Sequence, residues 1–434
     1  MYSKRDPKLQ FASKEEIKQY QDERLRETIS YVYANSKFYN EKMTSLGLTP
    51  DDIKCVEDLG KLTLTTKADL QTRNEDFFCV GREKVADYVT TSGTLGEPVT
   101  VILTEADLTR LAYNEYLSFN TAGLTAKDTM QLMVTLDRRF MAGYAYYLGA
   151  RQTGMGVCRV GNGIPQLQWE TAQRIKASVG MCIPSFLLKL IDHAKQNNIN
   201  YHASSFKKFI CIGEALRTDT GEYTTLGNKI AEQWPEITLY TTYASTEMQS
   251  SFTDCEYFVG GHLQPELIIV EFLDENGIAV GEGEIGEVVM TTLGIEGMPL
   301  VRFRTGDMVR HYTGQCKCGR QTVRLGPVVG RKGHMIKYKG TTLYPPAIFD
   351  ILDDIGGVEN YVVEVFTNAI GTDEIAVRVG TRQPSEAFAK HIKDIFRAKV
   401  RVAPTVRFED PELVNQLMYP AMSRKPVKFF DFRK

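Results

Sequence analysis

Between Glu15 and about Met43 the apolar residues Ile17, Tyr20, Leu25, Ile29, Val32, Tyr33 and Phe38 recur at helical spacing with charges between them. That rhythm predicts an amphipathic helical entry to the fold. Further along, helical patterns over 105–120, 168–180, 185–196 and 222–233 alternate with the short β-rich runs TMQLMVTL, FKKFICIG and ITLYTTYA. Strands separated by single helices imply crossover connections, and hence parallel α/β layers.

The pattern changes over 266–310, where ELIIVEFLDENGIAV, GEIGEVVMTTL and MPLVRFRTGDMVR read as strands joined by DENG and glycine-rich turns. A β-rich subdomain is expected there. After 330 the order becomes MIKYKG, the helix PAIFDILDDI, the strands YVVEVFT and EIAVRVG, the helix SEAFAKHIKDIFRAKV and the strand TVRFED. This predicts a small α+β domain over 331–434, of ordinary domain size. The expected fold class is therefore a multi-domain α/β protein, with a large domain over 1–330 built of α/β layers plus the β-rich subdomain.

Composition narrows the functional classes. The chain of 434 residues is 43% hydrophobic and 24% charged, with a formal charge of −2. Such a balance gives no general attraction for nucleic acid or anionic lipid. No run of 18 apolar residues occurs and the first residues lack a signal-peptide pattern, so a cytoplasmic protein with no membrane or nucleic-acid partner is expected. Eight cysteines in that compartment are core thiols or metal ligands rather than a disulfide framework. Cys55, Cys79, Cys158, Cys182 and Cys211 stand apart from one another and read as small buried hydrophobes.

Candidate chemistry begins at TTSGTLGEP, 90–98. Gly93 and Gly96 permit close backbone approach, while Thr91, Ser92 and Thr94 offer hydroxyl donors to phosphate oxygens. No lysine follows the last glycine, so this is not the GxxxxGK[ST] loop. YASTE, 243–247, follows the strand-like ITLYTT and so falls at the ligand edge of an open α/β sheet. There Glu247 is placed to hold Mg²⁺ on phosphates, Thr246 to donate to an α-phosphate and Tyr243 to offer a flat face to adenine. In RFRTGD, 302–307, Asp307 is expected at a turn, where its carboxylate can accept both ribose hydroxyls.

Taken with LTLTTKADL at 62–70, IGEAL at 212–216, GRKGHMIKYKG at 330–340 and SRKPVKFFDFR at 423–433, these segments follow a recognisable order. In that order the chain resembles the adenylate-forming acid–CoA ligases of the ANL superfamily, most closely the phenylacetate–CoA ligase branch. The resemblance spans essentially the whole sequence. It implies ATP, Mg²⁺ and coenzyme A as cofactors and a small aryl carboxylic acid as substrate, activated as an acyl-adenylate and then passed to CoA. It also implies that Gly213, Glu214, Ala215, Ala244, Ser245 and Arg331 join the nucleotide site, and that residues 331–434 form a mobile domain whose Lys425 bridges carboxylate and α-phosphate. Lys428 is the rival lysine. Two departures stand out: Gly333 lies where an aspartate usually follows the hinge arginine, and Arg424 where a glycine usually precedes the lysine.

The resemblance also brings together Cys255 and His262 of DCEYFVGGH with Cys316 and Cys318 of CKCGR, a Cys₃His set suited to structural Zn²⁺. Phe140, Tyr144 and Ala215 are placed near the acyl group, and Lys337 and Gly340 on the CoA side. Other readings are an adenylate-forming enzyme with a non-CoA acceptor, such as a deazaflavin hydroxyl, and a non-catalytic ATP-binding regulatory protein. A homodimer is expected, twofold dimers being the commonest soluble oligomers.

Overall fold

Ser13 opens the first helix through a reciprocal capping box with Glu16, and α1 (Lys14–Asn35) runs almost directly into α2 (Lys37–Ser45). The helical entry expected over 15–43 is thus made of two helices. Ser36 leaves helical dihedrals, at φ −99° and ψ 118°, and its hydroxyl accepts the Tyr39 N–H to start α2. The computed structural model describes residues 5–91, 98–338, 341–368, 371–420 and 426–433. It divides into two units, one of residues 1–222, 230–305 and 309–327, the other of 223–229, 306–308 and 328–434.

In the first unit the order continues with α3 (Lys67–Thr72), the antiparallel pair β1 (Asp87–Thr90) and β2 (Thr100–Leu103), α4 (Glu105–Thr121), β3 (Thr129–Leu132) and α5 (Met141–Thr153). Then come β4 (Gly156–Arg159), α6 (Pro165–Ile175), β5 (Val179–Cys182), α7 (Pro184–Gln196), β6 (Lys208–Ile212), α8 (Thr225–Gln233), whose first five residues group with the second unit, and β7 (Thr238–Ser245). The last strands are β8 (Ser250–Thr253), β9 (Gly261–His262), β10 (Ile268–Leu273), β11 (Ile285–Thr292), β12 (Phe303–Tyr312) and β13 (Arg324–Leu325). One sheet takes the order β10-β11-β12-β13-β9-β8-β7-β6-β5-β3-β4. Its pairs from β4 to β7 are parallel, as the alternation predicted, and the hairpin β7–β8 turns it antiparallel.

Alternation along the parallel strands divides the core. Met130, Leu132, Val179, Met181, Ile210 and Ile212 pack with Phe119 and Tyr146, while the intervening Phe209 joins Trp169, Phe206 and Trp234 in an aromatic group. Two elements differ from the sequence pattern. The helix expected over 168–180 stops at Ile175, and the four buried residues of β5 follow; a short apolar run carries no periodicity that separates a buried strand from a helix. Asp307, expected at a turn, lies instead within the ten-residue β12, which takes in all of RFRTGD but Arg302 and in which Gly306 takes φ +77°. The scattered cysteines also divide: Cys79, Cys182 and Cys211 are buried, whereas Cys55 and Cys158 are half-buried and the Cys55 thiol meets Asp58 Oδ2 at 3.3 Å.

The second unit holds β14 (Gly330–Arg331), β15 (Ile336–Tyr338), β16 (Thr341–Leu343), α9 (Pro345–Asp354), β17 (Asn360–Thr367), β18 (Asp373–Gly380), α10 (Glu386–Val400), β19 (Thr405–Glu409), α11 (Pro411–Met418) and β20 (Phe429–Asp431). Its four-stranded sheet has the order β19-β18-β17-β20. Ile348 and Leu352 of α9 and Ile392 and Phe396 of α10 form one core with Val363, Val365 and Val377 of the sheet. The sequence pattern did not reveal α11, an eight-residue helix that buries Val414 and Met418 with Val362.

Candidate functional site

Parallel strands deliver their following loops to one edge of a sheet, and several candidate residues of the first unit lie at or just beyond such strand ends. Gly213, Glu214 and Ala215 follow β6, and Phe140 caps α5 after β3. Glu214 Oε2 accepts the Ser185 N–H at 2.8 Å, tying the loop after β6 to the first turn of α7. Tyr144, one turn into α5, is 38% exposed and stacks on Tyr147. Tyr243, Ala244 and Ser245 end β7, and Thr246 and Glu247 begin the four-residue turn to β8, where Ser245 pairs with Ser250. Within that turn Ser245 accepts twice, Oγ from Met248 N–H at 3.2 Å and the carbonyl from Gln249 N–H at 3.2 Å.

Glu247 has a partner that pattern reading missed. Lys67 Nζ lies 2.6 Å from Glu247 Oε1 and donates to Thr91 Oγ1 at 3.0 Å, so one ammonium joins the β7–β8 turn to the start of the 91–99 loop. Lys67 is the first residue of α3, capped by Thr66 and Asp69. The preceding Thr65 is bridged to β12: its N–H donates to Arg302 O at 2.9 Å and its carbonyl accepts the Arg304 N–H at 2.8 Å. The local part of the signal lay in TTKADL, whose capping box starts α3 and makes Lys67 its first residue. Thr91 is 5% exposed, and its Oγ1 also accepts the Val99 N–H at 3.1 Å. Ser92, Gly93, Thr94 and Gly96, with Gly340 and Lys425, lie outside the described residues.

In the second unit Asp307 pairs in register with Arg331 of β14, and Arg331 Nε meets Asp307 Oδ1 at 3.0 Å. Lys337 is exposed on β15, its backbone N–H on Asp373 Oδ2 at 2.7 Å. Lys428 Nζ sits 3.1 Å from the Tyr361 hydroxyl and 3.6 Å from Asp353 Oδ1.

The four metal candidates come together. Ligand atoms of Cys255, His262, Cys316 and Cys318 all lie within 4.8 Å of one another. Sγ of Cys255 and Cys316 are 3.7 Å apart, and Cys318 Sγ is 3.5 Å from His262 Nε2. Tetrahedral zinc with ordinary bond lengths sets such edges at about 3.8 Å for S···S and about 3.6 Å for S···N, so the donor set fits the ion in kind and spacing. His262 Nδ1 is 3.0 Å from Thr322 Oγ1, an outer contact that leaves Nε2 for a metal. Burial, then the charges of Arg320 and Arg324, lowers the His262 pKa to about 3, so the ring stays neutral as a ligand must. Burial also pushes the Cys255 thiol up; at Cys318 the same burial is outweighed by hydrogen bonds from Arg320, and that thiol is lowered. Gln10 of the N-terminal segment docks on the knuckle, accepting from Arg320 Nε at 2.6 Å and from Gln321 N–H at 2.9 Å.

Glu247 in the turn after a parallel strand, with Lys67 between it and Thr91, is the grouping the sequence resemblance leads one to look for, and the AMP-binding enzyme family model matches residues 11–296. The chain belongs to that family. Among curated proteins it is 29% identical over 386 residues to a phenylacetate–coenzyme A ligase of Thermus thermophilus, covering 87% of this chain and 84% of that protein. It is 26% identical to the Escherichia coli K12 phenylacetate–coenzyme A ligase, covering 99% and 98%. Among solved structures, 2-hydroxyisobutyryl-CoA ligase in its postadenylation state matches with a TM-score of 0.83 at 20% identity, over 98% of this chain and 91% of that one. ATP-bound MatB from Rhodopseudomonas palustris matches at 0.60 and 17%, over 81% and 68%.

Proposed function

We propose that this protein is an ATP-dependent aryl acid–CoA ligase acting on phenylacetate or a close aryl acid. The observation that carries the reading is the Lys67–Glu247–Thr91 junction at the C-terminal edge of the parallel strands, in a chain alignable over most of its length with two phenylacetate–CoA ligases. A substrate carboxylate oxygen attacks the α-phosphorus of ATP, the bond to the bridging oxygen breaks, and pyrophosphate leaves. CoA thiolate then attacks the acyl carbonyl carbon and expels AMP.

Both steps develop charge on phosphate oxygens, so positioning and cations supply the catalysis. Glu247 is assigned to Mg²⁺, which needs only one or two protein carboxylates beside phosphate oxygens. Lys67 adds a cation that stays beside Glu247, and Thr246 and the hydroxyls of residues 91, 92 and 94 donate to phosphate. Tyr243 and residues 213–215 are assigned to adenine, Asp307 with Arg331 to the ribose side, Phe140, Tyr144 and Ala215 to the acid, and Lys337 and Gly340 to CoA. The engagement of Lys428 with Tyr361 and Asp353 favours Lys425 as the lysine of the first step. The Cys₃His cluster is assigned to structural Zn²⁺, because four protein ligands leave no open position. The chain is proposed to act in the cytoplasm as a twofold dimer, with residues 331–434 as the moving domain. No helix among the described residues is long and apolar enough to cross a membrane.

The test is AMP formation from ATP and CoA with a panel of acids. Phenylacetate and its aryl relatives should be turned over well ahead of acetate and long-chain acids, and Glu247→Gln should abolish the signal. Equal rates across the panel would defeat the substrate assignment, and undiminished turnover by Glu247→Gln would remove that carboxylate from the mechanism.

A further inference from the structure

The turn that presents Glu247 is held in an unusual backbone state by a buried side chain from another element. Gln249, two residues beyond Glu247, has φ +47°, in the left-handed region that costs a non-glycine residue energy. It is fully buried, and neither polar atom of its side-chain amide has a hydrogen-bond partner among the described residues, so no such bond anchors the side chain. Its carbonyl is anchored instead. Arg110 of α4, only 4% exposed, donates from Nη1 to Gln249 O at 2.6 Å, from Nη2 to Leu267 O at 2.6 Å and from Nε to Leu293 O at 2.7 Å.

One planar guanidinium thereby fixes three chain segments, and the fork has the rigidity that a lysine lacks. The next turn of α4 continues the grip: Asn114 Oδ1 accepts Ser250 Oγ at 3.0 Å and Ser251 N–H at 3.1 Å, at the start of β8. Residues 110 and 114 lie on one helix face, so the same side of α4 seizes the outgoing limb of the turn.

We propose that Arg110 is a positioning residue for adenylation: it holds Gln249 in its left-handed conformation and so sets where the Glu247 carboxylate meets the magnesium-bearing triphosphate. The inference rests on the assignment of Glu247 to Mg²⁺. Its role is indirect, exerted through the backbone carbonyl of Gln249.

The test measures acid-dependent pyrophosphate release by the full chain, with ATP constant and Mg²⁺ varied, together with Tm and the fraction of active sites. Arg110→Lys should raise the Mg²⁺ concentration at half-maximal release about tenfold, as expected for a displaced ligand worth one order of magnitude. Glycine adopts positive φ without strain, so adding Gln249→Gly to Arg110→Lys should recover most of that shift. If Arg110→Lys fails to fold, Gln249→Val keeps the question open to experiment. It strains the turn while leaving the clamp intact, and the same rise is expected. An Arg110→Lys or Gln249→Val protein with lower Tm or fewer active sites and an unmoved Mg²⁺ midpoint would overturn the proposal and leave Arg110 a packing residue. Full release by Glu247→Gln would instead overturn the underlying assignment, so the two failures are distinguishable.

Discussion

A single ammonium, Lys67 Nζ, stands 2.6 Å from the Glu247 carboxylate and 3.0 Å from the Thr91 hydroxyl. Removing it leaves the carboxylate facing incoming phosphates with no resident cation, so Lys67→Met should lower kcat/KM for ATP by about 10- to 100-fold, which is about 1.4–2.8 kcal/mol of transition-state stabilisation. Steady-state kinetics at saturating acid and CoA checks this, and an unchanged kcat/KM would reduce the contact to a local ion pair. A different residue governs stability. Glu115 of α4 is fully buried, its Oε1 accepting from Asn114 Nδ2 at 2.9 Å, and burial raises its pKa from 4.5 to about 8. The folded state therefore keeps a proton that the unfolded chain has lost across that interval, and stability falls as pH climbs through it. Glu115→Gln should remove the decline: the variant's advantage over wild type should grow by about 2–4 kcal/mol from about pH 5 to about pH 8 and then level off. Denaturant titrations at several pH values would show it, and a difference independent of pH would contradict it. At this scale residue types were legible and partners were not. Glu247 stood out because of its place after a strand, whereas its pairing with a residue 180 positions earlier follows from a tertiary bridge at Thr65.

Among the elements, the metal knuckle and the β7–β8 hairpin show what spacing can and cannot specify. Cys316 and Cys318 announce a knuckle by themselves, but Cys255 and His262 reach it only because β9 pairs with both β8 and β13. The knuckle in turn receives the N-terminal segment through Gln10, Arg320 and Gln321. Purified protein should contain about one zinc per chain. The double variant Cys316→Ser with Cys318→Ser should contain none and should exchange the Gln321 amide at least about tenfold faster, as local opening becomes cheaper. Elemental analysis and hydrogen exchange check the two parts. Absence of metal from chelator-free wild-type preparations would discard the site, and a Gln321 amide equally protected in the variant would disconnect it from the N-terminal segment. The elements most readable in advance were the long periodic helices and the alternating strands. Those missed were short: β5 has four residues, all buried, and α11 has eight.

The whole molecule joins a doubly natured sheet, parallel from β4 to β7 and antiparallel beyond, with a second unit built on its own four-stranded sheet. The fold class was legible because helix and strand periods alternate plainly before 266 and strands crowd after it. The way the chain divides was less so, since residues 223–229 and 306–308 group with the C-terminal unit although they lie far upstream of it. Long-range grouping of that kind leaves no local pattern. The central claim, that this chain joins a carboxylic acid to the α-phosphate of ATP, is tested most directly by supplying phenylacetate labelled with ¹⁸O in its carboxylate, together with ATP and CoA, and weighing the AMP produced. Attack by the carboxylate on the α-phosphorus should transfer one labelled oxygen to each AMP. AMP without label, or label found in inorganic phosphate instead, would contradict it.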